Sequence, residues 1–406
     1  MRFLFLPLGT VGDLVPFIEV GAALQARGHE VLLASAEPFR EMVEERGLTF
    51  RSVLSAEQHR RCLDNPDLWH PRRFFQAVVD GFILPSLGPS LELIASQPEP
   101  TQLRLVAAYS GSPAARLGSE LTGARHFSLW TDAAALRSLI HPPVYSGVEF
   151  MSRLPPWLRR PLRWGLDRWA DLLLAAPINA LRAGRPPVRN VLQWMVSAER
   201  SICLFPPWFA RPQADWPRAC SLAGFVLAPA RPLPLELERF LDQGPPPLLA
   251  TFGTGMRQPA RLLNCALQAA ERSGLRVLLV APRQAEVPAW LPNGCALSQD
   301  HPSFTSLLPR VRVLVHHGGS GNCAQALAAG TPQLVVPMAH DQPDNAQRLV
   351  DLGVAASLPA RRFDAEAASA ALARLLEPSV ARRCQQLSRL VVPEQSLQRA
   401  CLWLES

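Results

Sequence analysis

The sequence predicts an α/β protein with two doubly wound parallel sheets. In each half of the 406-residue chain, short apolar runs alternate with stretches whose apolar residues recur at helical spacing, which is the pattern of βαβ units. Glycine-rich turns follow several of the apolar runs, as they do where parallel strands lead into helices. A chain of this length most simply forms two domains, each able to bury its own core.

The first half begins with apolar runs that are bounded by turn residues or by helical patterns. They predict strands at 3–8, 30–34, 49–53, 103–108, 126–130 and 202–205. Helices are predicted at 17–27, ending at Gly28, at 38–46, and at 69–93 with an interruption at Pro85. From about 141 to 200 a Pro-, Arg- and Trp-rich segment breaks this rhythm. A helix is predicted there from Pro161 to Ala176, because proline is tolerated in a first turn.

The second half repeats the alternation. Strands are predicted at 248–252, 276–281, 311–316 and 333–337, and helices at 261–272, 304–308, 322–329, 345–352 and 395–405. Residues 211–234 are rich in proline and lack periodicity, which is typical of a connection between domains. We therefore predict an N-terminal domain at 1–215, a linker at 216–234, a C-terminal domain at 235–385 and a final helical segment at 386–406.

The composition excludes some chemistry and some locations. All 41 basic residues are arginine, so a Schiff base, a phosphate-loop lysine and a lysine base are impossible. The net charge of +7 favours anionic partners, either a charged substrate or an acidic membrane surface, but the scattered arginines do not form a nucleic-acid arm. The eight cysteines lack metal-ligand spacing and are typical of a reducing compartment. With no leader or long apolar span recognised, we expect a cytoplasmic protein, at most peripheral to a membrane.

One glycine-rich turn indicates an anion site. Residues 316–322 read His-His-Gly-Gly-Ser-Gly-Asn, between the apolar run 311–315 and a helical stretch that ends at Gly330. Such a turn presents backbone N–H groups and the positive end of a helix dipole. Glycine lets a phosphate approach the backbone, because a Cβ would keep it away. The turn therefore predicts binding of a nucleoside diphosphate.

This turn also resembles the donor-binding signature of family 1 glycosyltransferases, together with Ala-Ala-Gly-Thr-Pro-Gln-Leu-Val-Val-Pro at 328–337 and His-Asp-Gln-Pro-Asp-Asn at 340–345. The opening, 3–17, is similar to the first strand and Gly-x-x-Gly-Asp loop of the same family. The resemblance implies the GT-B fold, in which two Rossmann-like domains face each other across a cleft. The N-terminal domain would bind the acceptor, the C-terminal domain would bind the nucleotide-sugar donor, and the last helix would return to the N-terminal domain.

The resemblance implies that Asp13 is the catalytic base. A carboxylate in a cleft is partly desolvated, which raises its pKa toward usefulness as a base. The alternative is that Asp13 caps the following helix, and the two roles are compatible.

The resemblance assigns the diphosphate to the turn at 316–322. His317 would contact the phosphate, Gly318, Gly319 and Gly321 would allow close approach of the backbone, and Ser320, Asn322, Thr254 and Thr10 would complete this group. Many relatives have Ser or Thr where Asn322 stands, so that contact is open. We interpret His316 as a strand-end residue held by backbone bonds.

Two further groups of binding residues are implied by the resemblance. The donor sugar would be bound by Asp341 and Gln342, with His340 beside them, although Asp341 could instead cap a helix. The nucleotide base would lie near Gln299 and His301, the latter being equally compatible with a surface loop. No Asp-x-Asp pair occurs, so transfer is expected to be metal-independent, without a cofactor and with inversion at the sugar.

Within the family, the chain is most similar to the branch of the rhamnosyltransferase of rhamnolipid synthesis. The similarity includes residues 60–69, 203–210 and 213–217 and weakens between about 140 and 190. It implies dTDP-L-rhamnose as donor, a 3-(3-hydroxyalkanoyloxy)alkanoate as acceptor, a mono-rhamnolipid as product and a partner enzyme that supplies the acyl chains. A pocket for an acyl chain would include Phe74, Phe82, Trp130 and Ile140.

Some alternatives stay open. The same motifs serve glycosyltransferases that act on polyketides, sterols or other natural products with UDP- or dTDP-sugars. A nucleotide-sugar epimerase shares the architecture, and a nucleotide-sugar-binding helper protein is the alternative outside enzymes. In the segment 153–169, tryptophans interleave with arginines, as in a helix at a membrane interface. The other interpretation is that these tryptophans are buried and the arginines form a solvated face.

Overall fold

The computed structural model describes residues 1–182, 184–196, 200–256, 259–289 and 291–406. The chain divides into two compact units. Unit 1 comprises Met1–Val226 and Pro393–Ser406, and unit 2 comprises Leu227–Val392. Each unit contains one parallel sheet, so the predicted fold class is confirmed.

The strands are short and apolar, as expected for parallel sheets with both faces covered. In chain order they are β1 (Arg2–Leu6), β2 (Glu30–Ala36), β3 (Thr49–Leu54), β4 (Leu103–Ala107), β5 (Arg125–Trp130), β6 (Arg200–Cys203), β7 (Cys220–Leu222), β8 (Leu248–Thr251), β9 (Val277–Val280), β10 (Cys295–Ser298), β11 (Val313–His316), β12 (Gln333–Val335) and β13 (Ala355–Ser357). Leu4 of β1 lies opposite Leu32 on one side and Leu105 on the other, and all three are apolar residues of this sheet.

The helices cover the sheets. In chain order they are α1 (Val11–Ala26), α2 (Arg40–Glu44), α3 (Ala56–Asp64), α4 (Phe74–Val78), α5 (Leu84–Ala95), α6 (Ser112–Thr122), α7 (Pro156–Ala180), α8 (Val191–Trp194), α9 (Leu235–Asp242), α10 (Ala260–Arg272), α11 (Phe304–Leu307), α12 (Ser320–Ala329), α13 (Gln342–Asp351), α14 (Ala365–Leu375), α15 (Pro378–Ser388) and α16 (Pro393–Glu405). A π-helical turn, Val79–Ile83, joins α4 to α5. Within the described ranges, this joined helix, Phe74–Ala95, meets the length and composition of a membrane span, a criterion that core helices of soluble proteins also meet.

Both sheets have the strand order of a dinucleotide-binding fold. The order is β3-β2-β1-β4-β5-β6-β7 in unit 1 and β10-β9-β8-β11-β12-β13 in unit 2. In each sheet the chain runs outward in one direction, then returns to the centre and runs outward in the other. Ligands bind at this switch point, outside the carboxyl ends of the two central strands. The loops after β1 and β4 lie there in unit 1, and those after β8 and β11 lie there in unit 2.

The first helix begins earlier than predicted. Its first residue is Val11 rather than Phe17, so Asp13 lies in the first helical turn and not in a preceding loop. Gly12 and Pro16 make this stretch a poor helix by local propensity. Tertiary packing overrides that propensity, because Leu14 and the residues that follow Pro16 are buried against the sheet.

The connection between the units also differs from the prediction. Residues 220–222, inside the segment predicted as a linker, form β7 and pair with β6. The boundary between the units falls after Val226, and α15 extends to Ser388, beyond the predicted end of the second domain. A three-residue strand among prolines has too little periodicity to be recognised from sequence.

Candidate functional site

The turn after β11 begins with a buried structural histidine. His316 is fully buried, and its Nδ1 accepts a hydrogen bond of 3.2 Å from the N–H of Gly318. Burial lowers the pKa of His316 to about 3, so the ring is neutral. This neutral ring shapes the turn, in the manner expected for a strand-end residue.

The His317 ring lies between two glycines. A Cβ on Gly253 would lie 2.7 Å from its Cε1, and a Cβ on Gly319 would lie 2.6 Å from its Nε2. Both distances are too short for a carbon contact, so the loop after β8 and the turn after β11 close on this imidazole only because both positions are glycine. The structure thus brings the neighbourhood of Thr254, which follows Gly253, beside His317.

The charge state of His317 follows from this packing. Burial, and then the nearby His340, lower the pKa of His317 to about 4. The imidazole is therefore neutral near pH 7 and can donate one hydrogen bond to an anion without carrying a full charge. A bound diphosphate would favour the protonated form.

The start of α12 is open to an anion. Gly318 has φ +96°, and a Cβ there would lie 2.8 Å from Cγ1 of Val335. Gly319 occupies the N-cap position, so the helix start has no side-chain capping hydrogen bond. The N–H groups of Ser320, Gly321 and Asn322 consequently lack intrahelical acceptors and lie at the positive end of the helix dipole.

Helix α13 holds the turn at 316–322 in place through Asn345. Asn345 is buried, and its Nδ2 donates to the carbonyl of Gly318 at 3.0 Å and to Oδ2 of Asp341 at 2.7 Å. This pair of bonds ties the phosphate turn to Asp341, the residue predicted to bind the sugar. The sequence analysis did not single out Asn345, although it stands inside the quoted motif at 340–345. Its spacing of four from Asp341 was the signal.

The predicted sugar-binding residues lie together at the start of α13. His340 has φ +59°, an uncommon conformation for a residue other than glycine. Asp341 is the N-cap residue, but its carboxylate makes no capping hydrogen bond, so the alternative role as a helix cap is not observed. Gln342 is buried, and its Oε1 accepts from the N–H groups of Met338 and Ala339 at 2.9 and 3.1 Å. Gln342 therefore shapes the loop, and its contact with a sugar stays a prediction.

The predicted base region follows β10 at one edge of the sheet in unit 2. Gln299 and His301 are both exposed, and the ring of His301 stacks on Phe304 with centroids 5.8 Å apart and planes within 15°. This arrangement is compatible with a stacked base and equally with a surface loop. In the part of the chain that the structure describes, no group of three or more His, Cys, Asp or Glu side chains could hold a metal ion.

In unit 1, Asp13 is held by the loop after β1. Its Oδ2 accepts hydrogen bonds from the N–H and the hydroxyl of Thr10, at 2.8 and 3.0 Å. A Cβ on Gly9 would collide with the same oxygen. Burial raises the pKa of Asp13, and the two bonds from Thr10 oppose that rise. Asp13 thus fixes the first turn of α1, and its raised pKa suits a base as well.

A buried histidine that the sequence analysis missed lies beside this loop. The Nε2–H of His59, at the middle of α3, donates to the carbonyl of Gly9 at 3.1 Å. The ring packs edge-on against Phe39 and near Phe82. His59 is separated from Gly9 by 50 residues, so no local pattern connects the two. Phe82, predicted for the acceptor pocket, is thereby part of the support for the Gly9–Asp13 loop.

Two buried donors lie after β4 and at the end of β5. Tyr109 has φ +41°, a strained conformation for a bulky residue, and its ring packs edge-on against Trp130 at 5.4 Å. The Tyr109 hydroxyl and the Trp130 Nε1–H are buried and have no hydrogen-bond partner among the described residues. Strain and unsatisfied donors are typical of functional sites. The signal for Tyr109 was Tyr-Ser-Gly directly after an apolar run.

The four residues predicted for the acceptor pocket have different surroundings. Phe82 and Trp130 are buried, Phe74 is half-buried at the start of α4, and Ile140 is 51% exposed. The high exposure of Ile140 places it on the surface of unit 1. A pocket shared by all four stays a prediction.

Matches to known families cover both ends of the chain. Residues 3–84 match the glycosyltransferase family 28 N-terminal domain. Residues 271–392 match the C-terminal domain of proteins similar to erythromycin biosynthesis protein CIII. The two matches contain the Gly9–Asp13 loop and the phosphate turn, respectively.

Relatives are similar over the whole chain. An O-mycaminosyltylonolide 6-deoxyallosyltransferase of Streptomyces fradiae is 30% identical over 432 residues, covering 100% of this chain and 97% of that enzyme. A vancomycin aglycone glucosyltransferase of Amycolatopsis orientalis is 26% identical, covering 100% and 98%.

Solved structures show the same fold. The spinosyn forosaminyltransferase SpnP matches with a TM-score of 0.68 at 24% identity, with 100% of both chains covered. The spinosyn rhamnosyltransferase SpnG, complexed with thymidine diphosphate, matches with a TM-score of 0.66 at 21% identity, again covering 100% of both. Fold and site together define an enzyme of the GT-B class. The chain belongs to the glycosyltransferase family represented by the Streptomyces fradiae enzyme.

Proposed function

We propose that this glycosyltransferase moves a 6-deoxyhexose, L-rhamnose in the first instance, from its dTDP derivative to a hydroxyl of a hydrophobic acceptor. Transfer proceeds with inversion and without a metal ion. The observation that carries the proposal is the packing of His317 between Gly253 and Gly319 at the switch point of unit 2. This packing holds a neutral ring beside Gly319, at the start of α12.

The donor side of the reaction uses unit 2. The N–H groups of Ser320, Gly321 and Asn322, with the His317 ring, bind the diphosphate and stabilise the charge that develops as it leaves. Asp341, fixed through Asn345 to the same turn, accepts hydrogen bonds from hydroxyls of the sugar. The sugar and the leaving group are thus held by one connected set of bonds, which keeps the reacting carbon in place.

The acceptor side uses Asp13. As the acceptor oxygen attacks the anomeric carbon, its proton passes to the Asp13 carboxylate. The bond from that carbon to the diphosphate oxygen breaks, and dTDP leaves with the electron pair. A single displacement from the opposite face inverts the configuration. Both hydrogen bonds from Thr10 go to Oδ2, so we assign the proton transfer to Oδ1.

The comparisons support the choice of donor. The Streptomyces fradiae relative is named for transfer of a 6-deoxyallosyl group, and SpnG is a rhamnosyltransferase whose structure contains thymidine diphosphate. The proposed acceptor is a 3-(3-hydroxyalkanoyloxy)alkanoate, giving a mono-rhamnolipid in the cytoplasm with a partner that supplies acyl chains. A macrolide is the second candidate, supported by the same relative.

The test mixes the purified protein with dTDP-L-rhamnose and either a hydroxydecanoyl-hydroxydecanoate or a macrolide aglycone, and detects the glycosylated mass. We expect product to form in EDTA and to fall about 10²–10⁴-fold with Asp13→Asn, the range typical of general base catalysis. Full loss in EDTA would contradict metal-independent transfer. Binding of dTDP without product from either acceptor would reject both acceptor classes and keep the donor assignment.

A further inference from the structure

Helix α7 exposes side chains that a soluble protein usually buries. Trp157 is 71% exposed, Trp164 is 67% exposed and Leu172 is 78% exposed. At 100° per residue these positions fall within about 80° of each other around the helix. The interpretation of the tryptophans as core residues is therefore wrong for Trp157 and Trp164, which form an outward stripe.

The negatively charged residues of α7 are buried. Its acidic residues, Asp167 and Asp171, are both buried. Asp167 pairs with Arg137 and accepts from Asn190 Nδ2 at 2.9 Å, and Asp171 accepts from the N–H of Val191 at 2.7 Å. The carboxylates thus hold α7 to the rest of unit 1, and neither of them is exposed to solvent.

Two arginines near the exposed tryptophans are themselves exposed. Arg160 stands three residues after Trp157 and four before Trp164, so it lies on the same face of the helix. Arg153 precedes the helix, and both side chains are exposed without a salt-bridge partner among the described residues. Arg168 is also exposed, but it pairs with Asp171 at 3.1 Å.

A neighbouring segment packs beside the helix. Nη1 of Arg159 donates to the carbonyl of Leu139 at 3.1 Å, and Nη1 of Arg163 donates to the carbonyl of Arg137 at 2.7 Å. These two arginines are thereby engaged with backbone carbonyls and are not part of the exposed stripe. We call Trp157, Trp164 and Leu172, with Arg153 and Arg160, the α7 face.

We propose that the α7 face docks on an anionic lipid bilayer. Tryptophan rings reside at the boundary between headgroups and acyl chains, and leucine side chains reach just below it. Arginines beside them are attracted to an anionic surface. A face that combines bulky exposed apolar groups with exposed arginines matches such a surface in polarity and in charge. The net charge of +7 acts in the same direction.

Docking of unit 1 is independent of the sugar and of the acceptor. It also gives the enzyme access to amphiphilic acceptors that partition into the membrane, whichever of the proposed acceptors is used. The inference concerns the surface of α7 and does not rest on the catalytic assignment.

The test uses the full chain and sedimentation with vesicles of phosphatidylcholine, alone or with about one third phosphatidylglycerol, at low and high salt. The variants are Trp157→Ser with Trp164→Ser, and Arg153→Gln with Arg160→Gln. Matched controls in unit 2 are Leu235→Ser, at a leucine that is 65% exposed, and Arg312→Gln, at an exposed arginine. Thermal unfolding of every variant checks that the fold is kept.

We expect wild-type protein and both controls to bind the anionic vesicles and to be released by salt. The double tryptophan variant should bind about tenfold or more weakly, and the double arginine variant should lose its preference for anionic over neutral vesicles. The proposal is overturned if wild-type protein binds neither vesicle, if it binds both equally, or if the folded variants bind as tightly as wild type.

Discussion

In the proposed mechanism, Asp13 serves both the helix and the chemistry. Its carboxylate reaches back to Thr10, three residues earlier, and so stabilises the first turn of α1. The same bonds set its basicity, because they favour the ionised form while burial favours the neutral one. The Thr-x-x-Asp spacing is visible in the sequence. The contact of His59 with Gly9 is not, because only the packing of α3 brings it there.

Removing the Thr10 hydroxyl should change the pH dependence of catalysis. Thr10→Val deletes one of the two donors to Oδ2, so the pKa of Asp13 should rise further. A base works when ionised, and activity falls as the pH drops through its pKa. The acid limb of the kcat/KM profile should therefore move to higher pH. Thr10→Ser, which keeps a hydroxyl, is the control, and the acid limb of its kcat/KM profile should lie at the same pH as that of the wild type. An unmoved limb in Thr10→Val would show that Asp13 is not the titrating base.

At the scale of elements, the start of α12 depends on glycines that are needed for different reasons. Gly318 has a positive φ, whereas Gly319 has φ −61° and is required only because a Cβ would strike the His317 ring. Gly321 has open space around it. The sequence shows three glycines among the four residues 318–321, and only the structure shows that each has a different role.

These roles predict opposite outcomes for two alanine variants. Gly319→Ala should displace His317 and weaken dTDP binding about tenfold, the effect of losing one charge-assisted hydrogen bond. Gly321→Ala should leave the turn intact and raise the melting temperature, because alanine is the better helix former by about 1 kcal/mol. Calorimetric titration with dTDP measures the affinity of each variant, and thermal unfolding measures its melting temperature.

If Gly321→Ala is stable but no longer binds dTDP, the phosphate itself occupies the space beside Gly321. Equal affinities in wild type and Gly319→Ala would refute the assigned role of His317.

At the scale of the whole molecule, α16 completes unit 1. Glu405 forms a bidentate pair with Arg27, at 2.5 and 2.6 Å, and accepts from His29 at 2.8 Å. Arg104, between the Phe3 and Phe127 rings, donates to the carbonyl of Leu404. Cations thus cover the negative end of the last helix. The last helix joins the first unit because its partners lie there, as the family resemblance implies.

Breaking the Glu405 contacts should destabilise unit 1. The Arg27 and His29 partners lower the pKa of Glu405 to about 2. Its stabilisation is therefore complete above the ordinary glutamate pKa and is lost as the pH falls toward 2. We expect Glu405→Gln to lower the free energy of unfolding by about 2 kcal/mol at pH 7, with a smaller difference below pH of about 4. Chemical denaturation at several pH values measures this.

The matched control is Glu57→Gln, which removes an exposed pair with Arg61 one turn along α3. Such surface pairs contribute about 0.3–0.5 kcal/mol. If the two variants lose equal stability, the contact of α16 with unit 1 is no stronger than a surface ion pair.

The sequence by itself determined the fold class and the family, and it predicted that the turn at 316–322 binds the diphosphate. The physical reason is that strand and helix periodicity, turn glycines and the Thr10–Asp13 spacing are local properties of the chain. Periodicity predicted β8, β9 and β11 almost residue for residue, and motif resemblance pointed to His317 and Asp341.

Only the tertiary structure decided which loops meet. The strand order brings the loop after β8 against the turn after β11, which encloses His317. In unit 1 it makes β1 and β4 neighbours, so the loop that contains Gly9 and the strained Tyr109 follow adjacent strands. Likewise, the α7 pattern was compatible with buried or exposed tryptophans, and only the structure shows Trp157 and Trp164 exposed while Asp167 and Asp171 are buried. Burial and long-range pairing depend on the whole chain, so no local pattern can specify them.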